Sequence, residues 1–135
     1  MNNNLIHAIE KKSNFDNAFG EIISDGFFVT HVANQMKKSD ESITDDVVND
    51  VFGNAVAILN QCPNPNSSNE FKKTGIVIGK VQSGKTSNFI ALLALAFDNG
   101  YNLAVVIGGN TTELLTQNVN RIKRSFNVDV DKLKV

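Results

Sequence analysis

The sequence predicts an α/β fold with a parallel sheet, from three features of its second half. Residues 75–78, Gly-Ile-Val-Ile, form a short β-branched run of the kind a buried parallel strand carries. A glycine-rich segment follows at residues 79–86, and residues 87–98 are apolar on nearly every side, as a buried crossover helix would be. A second apolar run at 103–107 and a second helical pattern complete the order strand, loop, helix, strand, helix. Such an order implies right-handed crossovers between parallel strands.

Upstream, residues 13–38 carry Phe15, Phe19, Ile22, Ile23, Phe27 and Phe28 at roughly helical spacing. Gly20 and Gly26 weaken a continuous helix, so one helix or two short ones satisfy the pattern. Ser42 or Thr44 can cap the next helix. Its first turn holds Asp45 and Asp46, and Val47, Val48, Val51, Phe52, Ala55, Val56 and Leu59 form one apolar face. Pro63 and Pro65 among alternating Asn and Ser then rule out regular structure. The expected organisation is a helical segment at 1–62, a linker at 63–73, and the motif-bearing part from 74 to 135.

The motif is Gly79-Lys80-Val81-Gln82-Ser83-Gly84-Lys85-Thr86, a complete match to glycine, four residues, then Gly-Lys-Ser/Thr. Chance produces such a match in roughly one chain of this length in two hundred, so a random origin is a weak rival. In this pattern successive backbone N–H groups and the positive end of the following helix converge on an anion. Gly79 and Gly84 allow the close approach, Lys85 can reach β and γ phosphates, and the Thr86 hydroxyl can ligate Mg²⁺. Gln82, Ser83 and Ser87 are secondary candidates. The cofactors expected are therefore ATP and Mg²⁺, with Lys85 as the residue that acts on the phosphates. The fold expected is a P-loop NTPase (RecA-like) parallel sheet, incomplete, preceded by the helical N-terminal segment.

The helical pattern beyond Gly108-Gly109 has Asn110 as its expected cap and Glu113 three residues later, with Leu115, Val119, Ile122 and Phe126 on one face. Asn110, Thr111 and Thr112 offer donors at a helix N-terminus, and Arg121, Lys123 and Arg124 add local positive charge. These six are the candidates for contact with a nucleic-acid backbone. An ordinary capped helix whose basic end complements its own dipole is the alternative.

Charge points the same way. Residues 1–70 hold 4 Lys and Arg against 10 Asp and Glu, while residues 71–135 hold 9 against 4. A polyanion would be handled by the second half. The single cysteine, Cys62, cannot form an internal disulfide, which fits a reducing cytoplasm. The longest apolar run, at 89–97, is far short of the roughly 20 residues of a membrane span, so no membrane association is expected. His7 and His31 have no second ligand at metal spacing.

The run Val77-Ile78-Gly79-Lys80-Val81-Gln82-Ser83-Gly84-Lys85-Thr86-Ser87-Asn88, with Asp98-Asn99-Gly100-Tyr101 after it, resembles the endonucleases of the Z-one domain family. Residues 72–126 carry the resemblance, and Gln-Ser-Gly-Lys-Thr is its distinctive core. It implies a superfamily II helicase-like ATPase that acts on DNA in bacterial restriction-type antiphage defence, with protein partners from a defence operon. It also implies that Thr111-Thr112 and the segment 114–122 touch nucleic-acid backbone. The sequence departs from that family in showing neither an apolar strand that ends in an acidic pair nor arginines identifiable as those that neutralise the γ phosphate. Asp129 and Asp131 follow polar and basic residues. These departures make an N-terminal piece of a longer enzyme the expected reading, one that binds nucleotide without turning it over. The alternatives are a nucleotide-binding interaction module and a truncated P-loop phosphotransferase.

Overall fold

The computed structural model describes residues 19–68, 72–78, 84–107 and 111–127. Among these it forms four helices: α1 (Phe27–Ser39), α2 (Asp45–Leu59), α3 (Lys85–Asp98) and α4 (Thr112–Phe126). Expectations for His7, Phe15, residues 79–83, residues 108–110, Asp129 and Asp131 lie outside the described residues.

α1 is a single helix that starts at Gly26, whose own side chain can offer no cap. The cap comes from the far end of α3, where Asp98 accepts from the N–H groups of Phe28 at 3.1 Å and Val29 at 2.8 Å. At its other end, Ser39 donates to the Met36 carbonyl and the chain turns at Asp40. There the Asp40 carboxylate accepts from the hydroxyl of Ser42 at 2.6 Å and from its backbone N–H at 2.9 Å. These bonds hold the Asp40 carboxyl below its ordinary range, the hydroxyl contributing most. Thr44 then caps α2 by accepting from Val47, as Ser/Thr caps do. Lys37 of α1 pairs with Asp45 at the start of α2.

α3 is the central helix, with α1 and α2 both packed against it and α4 lying mainly along α1. Small side chains make the close approach possible: Ala91 and Ala94 of α3 and Ala55 of α2 are fully buried. Leu59, Leu95 and Val32 are the largest side chains entirely removed from solvent. Each such aliphatic residue stabilises the fold by about 1.5–3 kcal/mol. Phe28, Phe97 and Phe126 bring one ring each from α1, α3 and α4, with centroids 5.6–6.1 Å apart. Ring pairs of this geometry add about 0.5–1.5 kcal/mol beyond their burial.

The P-loop NTPase (RecA-like) parallel sheet expected from residues 75–78 and 103–107 is not what the chain forms. Among the described residues there is no strand, only an isolated bridge position at Ile78. Both runs lack regular secondary structure apart from that bridge position, and both are exposed: Ile76 is 75% accessible, Val105 79% and Ile107 92%. The β-branched residues favour extended backbone, but a parallel strand also needs ladder partners and apolar cover on both faces. In this fold the apolar helix faces cover one another, and the two runs are left outside that core.

The stretch expected as a linker is tied down. Tyr101 donates its hydroxyl to the Pro63 carbonyl, Asn64 donates to the Phe19 carbonyl at 2.6 Å, and Asn66 reaches the Asn99 carbonyl at 3.5 Å. Phe19 stacks on Tyr101. The segments before α1 and after α2 therefore meet at the C-terminal end of α3.

Candidate phosphate site at the start of the central helix

Gly84 is the N-cap of α3 and sits in the left-handed region, φ 71° and ψ 23°. A glycine is favoured there because a Cβ costs about 1–2 kcal/mol in that conformation. The helix begins at Lys85, two residues earlier than the apolar pattern suggested, so Lys85, Thr86 and Ser87 form its first turn. No acidic residue lies in that turn. An α-helix supplies no acceptor of its own for the N–H groups of its first turn, and its dipole favours an anion there.

Asn88 holds the end of the loop in place. Its backbone N–H and its side-chain amide both donate to the Gly84 carbonyl, each at 3.1 Å. The residue is only 6% exposed, which fixes the amide in the helix's inner face. In the sequence Asn88 stands out only as the end of the run 77–88 that carries the family resemblance. Its position four residues after Gly84 is the signal that marks it, because i and i+4 groups meet on one helix face.

Across from this turn stands α4. Arg121 donates from Nη1 to the Thr86 hydroxyl at 3.0 Å, which brings a second cationic side chain to the phosphate motif. Sequence reasoning grouped Arg121 with Lys123 and Arg124; the structure brings Arg121 to Thr86. On a helix, residues two apart point in different directions, so Lys123 does not share the face of Arg121, while Arg124, three residues on, neighbours it.

The N-terminus of α4 is arranged differently from that of α3. Thr111, not Asn110, is the cap, and its hydroxyl oxygen accepts from the Leu114 N–H at 3.3 Å. Thr112 gives its carbonyl to the Thr116 hydroxyl at 2.8 Å. Glu113 lies in the first turn and Lys123 and Arg124 in the last, each placed to complement the helix dipole. A carboxylate at that first turn repels an approaching phosphate.

The residues described at the start of α3 fit a phosphate and a Mg²⁺ ion. Among the described residues nothing lies within 4 Å of where a Cβ on Gly84 would stand, Lys85 is exposed, and Thr86 is half-buried. Among the described residues no group of three or more His, Cys, Asp or Glu could hold a metal ion by itself. No helix among them is long and apolar enough to cross a membrane. No family model, curated protein or solved structure matches the chain.

Proposed function

We propose that the start of α3 binds the phosphates of a nucleoside triphosphate, ATP with Mg²⁺, through Gly84, Lys85, Thr86 and Ser87, together with Gly79, Gln82 and Ser83 of the same motif. The observation that carries this reading is the left-handed Gly84 at the N-cap of a helix whose first residues are Lys85 and Thr86. The complete motif spacing puts the lysine and the hydroxyl where phosphate and metal need them. In this reading Lys85 neutralises phosphate charge and Thr86 supplies an oxygen ligand to the metal. Calorimetry with ATP and Mg²⁺ tests it: Lys85→Ala removes a charge-assisted contact of about 1.5–3 kcal/mol, a weakening of roughly tenfold or more. Equal affinity of the variant and the unaltered chain rejects the reading.

Action on DNA, endonuclease activity and a place in antiphage defence rest on the resemblance of residues 72–126 alone. A cytoplasmic location rests on the single cysteine and the absence of a spanning helix among the described residues.

A second reading, an interaction module, is favoured by one observation. Ile76, Val77 and Ile78 and Leu103, Val105, Val106 and Ile107 are exposed outside the helices. Exposed apolar segments of this kind pair with their like. A second copy of the chain is the occupant this reading names, and its test is the oligomeric state in solution.

A further inference from the structure

We infer that Arg121 is a phosphate-contacting residue of the site at the start of α3, and that it exchanges the Thr86 hydroxyl for a phosphate oxygen when the metal–nucleotide complex arrives. The inference rests on the phosphate-site reading above and deepens it by adding a ligand residue from a different helix.

A hydrogen bond joins α4 to the motif, from Arg121 Nη1 to Thr86 Oγ1 at 3.0 Å. The Thr86 hydroxyl is also the oxygen that the motif assigns to Mg²⁺. A divalent cation and a guanidinium facing the same oxygen repel each other strongly at such separations. An anion between them removes the conflict, and a phosphate is such an anion. The guanidinium offers five N–H donors in a planar fork that matches phosphate oxygens, and only one donor is engaged with Thr86.

The mounting of Arg121 suits the exchange. α4 is anchored by Phe126 against Phe28 and Phe97 and by Ile122 against the core. Arg121 itself is exposed, so its side chain can swing from hydroxyl to phosphate while the helix stays in place. The first turn of α3 has no carboxylate to compete for it. The charge of Arg121 is therefore directed at the motif, whereas Lys123 and Arg124 lie in the last turn of α4 and complement its dipole.

The test uses the full 135-residue chain. Calorimetric titration with ATP and Mg²⁺ is carried out on the unaltered chain and on R121Q, R121K, R124Q and K85A. R121Q should weaken binding roughly tenfold, R121K should recover only part of the loss because it lacks the fork, and R124Q should stay within about twofold. The nucleotide-free melting temperature of R121Q should match that of the unaltered chain, since an exposed arginine contributes little to stability. Independently of any variant's stability, the Arg121 Nε–H resonance should shift on addition of the metal–nucleotide complex.

Unchanged affinity in R121Q alongside weakened K85A overturns the inference and leaves the phosphate site standing. Tighter binding in R121Q also overturns it, because Arg121 would then merely compete for Thr86. Unchanged affinity in K85A removes the phosphate site itself.

Discussion

The Asp98 carboxylate occupies the space in which a side chain at Gly26 would begin: a Cβ on Gly26 would lie 2.3 Å from Asp98 Cγ. From that position its two oxygens take the N–H groups of Phe28 and Val29. The last residue of α3 thus caps the first turn of α1, a task usually done by the helix's own N-cap side chain. The carboxylate also carries negative charge to the positive end of the helix.

Gly26→Ala should therefore destabilise the fold by about 1–3 kcal/mol, because the two hydrogen bonds hold Asp98 where the new methyl must go. Asp98→Ala should cost about 1–2 kcal/mol through the lost cap. The pair should be non-additive, with Gly26→Ala costing less in the Asp98→Ala background, where the carboxylate is gone and only the Cβ at position 98, 2.7 Å from the new methyl, must give way. Urea unfolding of the four proteins in this cycle measures the coupling.

Asn99 sits beside that cap and is 5% exposed. Its amide accepts from the Ile23 N–H at 2.8 Å and donates to the carbonyls of Ile23 at 2.9 Å and Leu95 at 2.8 Å. Asn99→Ala strands these backbone groups and should cost about 2–3 kcal/mol, whereas Asn66→Ala, which loses a longer bond, should cost under about 1 kcal/mol. Chemical denaturation of the two variants separates them.

Alkaline pH should weaken the fold. Burial pushes the Cys62 thiol up, partly offset by Lys73, and burial followed by the neighbouring Cys62 pushes the Tyr101 hydroxyl up. Both groups are neutral when protonated, so above their unfolded values the native state binds more protons than the unfolded one. Stability is then fully present below the unfolded thiol value, about 9, and falls as pH rises through the folded values. Melting temperature measured from pH 7 to 11 should decline above about 9, less steeply in Cys62→Ala.

Gly84→Ala should lower affinity for ATP and Mg²⁺ through the left-handed backbone it can no longer adopt cheaply, with a stability cost of about 1 kcal/mol. Asn88→Ala releases the Gly84 carbonyl from its side-chain donor and should weaken nucleotide binding while Lys85 is intact. Calorimetry on both reports whether the backbone of the loop, as well as its lysine, holds the phosphates.

Self-association should depend on the two exposed runs. Val105→Lys with Ile107→Lys places charge on residues that are 79% and 92% accessible, so folding should be untouched while association falls. Sedimentation or light scattering over a range of concentrations reads the difference, and an unaltered chain that stays monomeric throughout removes the second-copy reading.

The sequence by itself determined what is local. Thr44 before two aspartates and an apolar stripe marks the start of α2, and the apolar run ending at Asn99-Gly100 marks the end of α3, where Gly100 has φ 96°. At the end of the motif, Gly84, Lys85 and Thr86 open α3 with Gly84 in the left-handed region, a local geometry that neighbouring residues set. Only the tertiary structure decided what is non-local. The Asp98 cap joins residues 70 positions apart, and Arg121 meets Thr86 across 35 positions, neither of which any periodicity reports. The same limit explains the corrected sheet: β-branched residues encode an extended backbone, but whether extended runs become strands depends on partners and cover supplied from elsewhere in the fold. Here the helices cover one another, and the runs at 75–78 and 103–107 stay exposed.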